Sequence, residues 1–215
     1  MSDATTHIST QRPAVLADMI PSATADHAAV KVATNAALIV GGALFVALAS
    51  RIQIPLGFTP IPLSLATFAV ALTGGALGAA RAVSSMSLYL ALGIVGFPFF
   101  NEGANGWEYF TGATMGYLLG YVVLAGIVGW AAEQGGDRKV LTSVGAIVLG
   151  NLALYTVGTL WLAHAVGAPV LGGDGSGFAM GVRPFLVGDL LKMVAAGMLF
   201  PAAWAFFNSR NSTNS

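Results

Sequence analysis

The sequence predicts an all-α integral membrane protein, a bundle of six transmembrane helices, and three observations predict it. Hydrophobic residues make up 56% of the 215 and charged residues only 8%, with a mean hydropathy of +0.77, far outside the range of a soluble domain. Six apolar segments recur along the chain, at 28–49, 62–77, 82–96, 112–132, 140–166 and 184–207. Lys and Arg divide unevenly between the connections, as the positive-inside tendency requires of a multi-pass protein.

The elements follow in order. Residues 1–27 mix Ser, Thr, Asp and Pro around a short apolar patch and lack the basic start and apolar core of a secretory signal. They are expected to form a mobile N-terminal tail in the cytoplasm. The first apolar segment, with Lys31 snorkelling, and the fourth to sixth reach the roughly 20 residues that a spanning helix needs. The second and third are short and separated only by Gly78–Arg81, so they are either two spans or a tight helical hairpin partly buried in protein. Pro184 suits the first turn of the sixth helix. Residues 28–207 thus form one six-helix membrane domain, and 208–215 a polar C-terminal tail.

With both termini cytoplasmic, Arg12, Lys31, Arg81, Arg138, Lys139 and Arg210 fall inside and Arg51 and Arg183 outside, six against two. That orientation gathers the connections 50–61, 97–111 and 167–183 on the outer face, as walls and lid of an outward-facing pocket.

Asp189 and Lys192 are the only charges between Pro184 and Phe207. At spacing i and i+3 they share a helix face, so they can pair with each other or hold a polar ligand between them. The alternative is a self-neutralised pair that orients helices, or a lysine that snorkels. Asp189 lies about 7 Å along the axis from Pro184, nearer the outer leaflet than the midplane, which fits a small-molecule site better than a proton path. Asn151 and Tyr155, four apart, form a second polar patch on the fifth helix; tying helices together is its structural alternative. Small residues recur four apart at Ala33 and Ala37, at Ala43 and Ala47, and at Gly112, Gly116 and Gly120, a spacing that suits close helix packing or, on the first helix, docking of another membrane subunit. Aromatics crowd the outer loops, as an interfacial belt or as walls of an apolar slot.

Several chemistries are excluded. The chain has no cysteine, phosphate-binding GxxxxGK[ST] loop, HExxH, GxSxG or clustered metal ligands. No catalytic residue, metal or cofactor is expected, and a formal net charge of zero gives no reason to expect nucleic acid as a partner.

Five segments in order resemble one family: Ile54–Ala82, Leu88–Phe100, Thr111–Tyr121, Gly150–Leu162 and Arg183–Lys192, the last carrying an intact PFxxGDxxK signature. The chain resembles the BioY family, the biotin-specific S components of energy-coupling factor (ECF) transporters. The resemblance implies an S-component-like bundle in a bacterial or archaeal cell membrane. Such a subunit captures biotin, the transported ligand, from outside and delivers it when docked on a transmembrane T subunit and a pair of cytoplasmic ATPase subunits. It implies biotin contacts at Asp189 and Lys192, with Asn151 and Tyr155 beside them; Thr114 and Tyr117 are retained, and Asn101 in the outer loop completes the set. It also implies a docking face on the first helix, at Ala43 and Ala47 or at Ala33 and Ala37. Two departures stand out: Ala66 replaces a Gln that the family often has before Thr67, and Ala113 and Met115 replace the Pro and Gly of PTGGY. An S component for another small vitamin and a self-sufficient proton-coupled carrier are the competing readings.

Overall fold

The computed structural model describes residues 14–23 and 27–213. Six long helices carry the fold: α1 (Ala28–Ala49), α2 (Ala66–Leu77), α3 (Ala79–Val95), α5 (Met115–Glu133), α6 (Val140–Ala165) and α8 (Leu186–Thr213). Two short helices, α4 (Gly106–Phe110) and α7 (Gly177–Gly181), sit in connections expected as loops. Of the long helices, α1, α5, α6 and α8 are long and apolar enough to cross a membrane, whereas α2 and α3 have 12 and 17 residues. The six long helices stand in the expected order, four of them long and apolar enough to span, with α8 running past residue 207 to Thr213. The α-only expectation misses one two-residue ladder, in which β1 (Gln53–Ile54) pairs antiparallel with β2 (Leu63–Ser64).

Glycine explains how apolar helices with so few polar ties pack. Gly116 and Gly120 of α5 face α6, where an added Cβ would lie 2.5 Å from Trp161 Cβ and 2.9 Å from Leu154 Cγ; the four-residue spacing read from the sequence is the seam itself. Gly129 lies against the α2–α3 junction, with a Cβ position 2.5 Å from Ala79 N. That junction is one residue, Gly78, at φ 82°, a conformation that glycine adopts without a Cβ penalty. Glu133 of α5 completes it, its carboxylate accepting from Ala79 N–H at 2.8 Å, an acid at the positive end of α3.

Residues 14–23 fall in the stretch expected as a mobile tail, yet they form two 3₁₀ turns packed on the bundle. Val15 and Ala17 are buried beside Ala132, Leu38 and Leu77, and Asp18 pairs with Arg81 at 2.8 Å. Arg81 also donates to Asn35 Oδ1. An apolar patch this short carries no helical period, so composition alone reads as tail.

On α1, Ala43 and Ala47 are buried inside the bundle, 1% and 6% exposed, whereas Ala33 and Ala37 face outward. Of the two alanine pairs, only the second leaves a face open.

Candidate functional site

The charged pair is made. Asp189, in the first turn of α8, is 5% exposed, and Lys192 Nζ donates to its Oδ1 at 2.7 Å. Lys192 also donates to the Ser64 carbonyl of β2 at 2.6 Å, and Tyr155 of α6 donates its hydroxyl to Asp189 Oδ2. A buried carboxylate is costly unless paired and hydrogen-bonded, and here each oxygen has a donor. The network joins α8, α6 and the β1–β2 hairpin, so this hairpin is fastened over the end of the bundle through Lys192.

A pocket opens against this network. Its lining atoms enclose about 490 Å³, open mouth included, of which about 40 Å³ admits the centre of a water-sized sphere. That is room for about three waters, so a vitamin-sized ligand requires its walls to part. Six of the seven expected site residues line it: Asp189, Lys192, Tyr155, Thr114, Tyr117 and Asn101. The Tyr117 ring forms wall while its hydroxyl donates to Gly181 O at 2.8 Å, tying α5 to α7. Tyr121 and Thr67 also line the pocket; Tyr121 was missed, although it lies one turn beyond Tyr117 on the same face.

Asn151 lies elsewhere. It faces a much smaller cavity on the other side of the ion pair, shared with Thr67, Asp189 and Lys192. Its Nδ2 donates to Ile147 O at 2.9 Å, while its Oδ1 and Thr67 Oγ1 are buried without a partner among the described residues. It also borders a groove between α6, α7 and α8, lined mainly by aliphatic side chains, in which about 620 Å³ admits the centre of a water-sized sphere. Convergent polar groups, the mark of a small-molecule site, favour the Asp189 pocket over that roomier groove.

The outer aromatics mostly do not wall this pocket, contrary to one reading of them. Phe100 is fully buried, edge-on to Tyr89 and stacked on Tyr109 and Phe110, so these rings brace the 97–111 connection instead. Phe97 and Trp107 are exposed. Burial pushes the Tyr109 phenol above its ordinary pKa, so it stays a neutral donor and acceptor. Neither outer arginine lines the pocket: Arg51 donates to Pro98 O, and Arg183 pairs with Asp174 at 3.1 Å. Among the described residues no group of His, Cys, Asp and Glu is placed to hold a metal.

The geometry is that of a neutral, polar-ended pocket in an apolar bundle, and known proteins share the frame. A solved structure described as the S-component for biotin from an ECF-type ABC transporter superposes with a TM-score of 0.72, covering 83% of this chain and 94% of that one at 22% identity, which speaks for the fold alone. A probable biotin transporter BioY of Pyrococcus horikoshii is 36% identical over 155 residues, 72% of this chain and 88% of its own length. The biotin transporter BioY2 of Lactococcus lactis is 32% identical over 73% of this chain and 82% of its own, and the biotin transporter BioY of Rhodobacter capsulatus 33% over 73% and 85%. These relatives are transporters rather than enzymes, as the missing catalytic motifs led one to expect. Residues 19–209 match the BioY family, and the chain belongs to it.

Proposed function

We propose that this chain is the membrane subunit that captures biotin from outside the cell and hands it to an ECF energy-coupling module. One observation carries the reading: the hydrogen-bonding capacity that the Asp189–Lys192 pair has left. A carboxylate offers about four acceptor positions and an ammonium three donors. Tyr155 and Lys192 use two of the former, and Asp189 and Ser64 two of the latter. Two acceptor positions and one donor remain, the complement of a ureido ring with two N–H groups and one carbonyl. Asp189 then accepts from the ureido N–H groups and Lys192 donates to the carbonyl without the pair breaking. Asn101, Thr114, Tyr117 and Tyr155 contact the rest of the ligand, the valeryl chain runs towards the mouth at Asn101, and Asn151 supports the pair from below.

In this reading all six long helices span a bacterial or archaeal cell membrane with both termini cytoplasmic. The transmembrane T subunit, carrying its ATPases, seats on the exposed Ala33 and Ala37 face of α1. Calorimetric titration of purified protein tests the ligand. Biotin binds, Asp189→Asn weakens it more than tenfold, and thiamine, riboflavin and pantothenate do not compete; well-folded protein that ignores biotin ends the proposal.

A further inference from the structure

Beyond Asn101 and Pro62, which line both spaces, the Asp189 pocket adjoins a second cavity between the β1–β2 connection and the 101–109 segment, where about 460 Å³ admits the centre of a water-sized sphere against about 40 Å³ in the pocket. Its polar lining is Gln53, Thr59, Asn101, Glu102 and Tyr109. Gln53 Oε1 is buried there with no hydrogen-bond partner among the described residues, an acceptor in want of a donor. Glu102 is the one non-glycine residue with positive φ among those described, at 57°. An acid therefore stands at the cavity in a backbone conformation where Gly or Asn is easier.

The charges point the same way. Lys192 is engaged with Asp189, and Arg51, whose guanidinium stands against Gly103, donates to Pro98 O and does not line the outer cavity, so the side chains that line the two spaces carry one net negative charge, that of Glu102. Biotin bound with its ureido ring at Asp189 sends its carboxylate towards that acid. If the same carbon is an amide instead, it offers Gln53 an N–H and brings no charge, and an ammonium a few bonds further on can meet Glu102.

We propose that the outer cavity is a second subsite, one that takes a cationic amide substituent on biotin's carboxyl carbon, so that the protein binds amine-bearing biotin amides as well as biotin. This rests on the biotin reading above. It concerns a different part of the ligand and a different set of residues.

The test is titration of the full chain in neutral-lipid nanodiscs with biotin, its amide with cadaverine and its amide with pentylamine. The two amides share a five-carbon chain and differ in the ammonium group at its end. The cadaverine amide is expected to bind about two- to fivefold tighter than the pentylamide at low salt, the strength of a single exposed ion pair. That difference should collapse in about 0.5 M salt and vanish in Glu102→Gln, which should also tighten biotin itself. Gln53→Met should weaken both amides more than biotin. Equal affinity of the two amides at low salt, a preference that survives Glu102→Gln, or amides more than a hundredfold weaker than biotin each overturn the inference while leaving the biotin site standing. Failure of biotin itself to bind overturns both.

Discussion

Replacing Lys192 by Met removes the ammonium and keeps most of the side chain's volume. The lysine side chain is 15% exposed and that of Asp189 7%, so the substitution leaves Asp189 as a buried carboxylate whose one remaining donor is Tyr155. Breaking a buried pair from one side costs about 3–5 kcal/mol, because the other charge is left uncompensated. The Ser64 carbonyl loses its charged donor in the same step, a further loss of about 1.5–3 kcal/mol that overlaps the first and does not simply add. For a chain of this length the first figure alone lowers Tm by on the order of 10 °C. The decisive comparison is the double variant Asp189→Asn with Lys192→Met. It strands no charge, so it should recover at least about 1 kcal/mol of the single variant's loss, within the usual range of coupling between contacting residues. Thermal melts of the wild type, both single variants and the double variant in one detergent measure this. A double variant no more stable than Lys192→Met alone would refute the claim that the uncompensated carboxylate is what the lysine prevents.

Three further outcomes are expected. Tyr155→Phe, which deletes the hydroxyl on Asp189 Oδ2 and leaves the ring, should cost about 1–3 kcal/mol in melts and weaken biotin severalfold by calorimetry; unchanged affinity would show that the hydroxyl does not set the carboxylate's position. Gly129→Ala puts a methyl 2.5 Å from Ala79 N and 2.6 Å from Gly78 C, backbone atoms that cannot swing aside, so it should destabilise by about 1–3 kcal/mol, whereas Gly145→Ala, with nothing within 4 Å, should be neutral or better. Asp137 lies in the turn before α6 and is 3% exposed; it accepts from Trp204 Nε1 at 2.5 Å, while burial raises its pKa from 3.8. The folded state therefore holds this proton more tightly than the unfolded chain, and its contribution to stability falls as pH rises from about 3.9 through the raised folded value. Asp137→Asn keeps an acceptor for Trp204 and should abolish that part of the Tm–pH profile above pH 4; a profile unchanged by the substitution would show that Asp137 is not its source.

What the sequence made legible, and what it hid, follows from the kind of group involved. The six helices were readable because long apolar runs are a side-chain signal, and the Asp189–Lys192 pair because charges inside such a run are rare. The α5–α6 seam was readable because glycines four apart mark a close-packed face. The hairpin was not, since two residues per strand carry no alternation to detect, and the Ser64 contact is a backbone carbonyl that no residue type announces.

Asn151 is the instructive position, because the rule that placed it is right and incomplete. Residues four apart share a helix face, so Asn151 and Tyr155 form one polar patch on that face. They also differ by about 6 Å along the axis, at 1.5 Å per residue. That shift is enough to set Tyr155 at the pocket and Asn151 at the smaller cavity, while Asp189, Lys192 and Thr67 line both. Facing tells which side of a helix meets the pair, and depth tells which side of the pair is met. Only packing supplies depth, because it depends on how far α6 has slid past α8. The same argument separates what substitutions at the two positions should do. Tyr155 borders the pocket and touches the carboxylate, so its loss should appear in affinity, whereas Asn151, its Oδ1 unpartnered, borders the small cavity and the groove between α6, α7 and α8. Asn151→Leu should therefore act on binding only through the pair's position, and a loss of affinity with no change in Tm would place Asn151 in contact with the ligand after all.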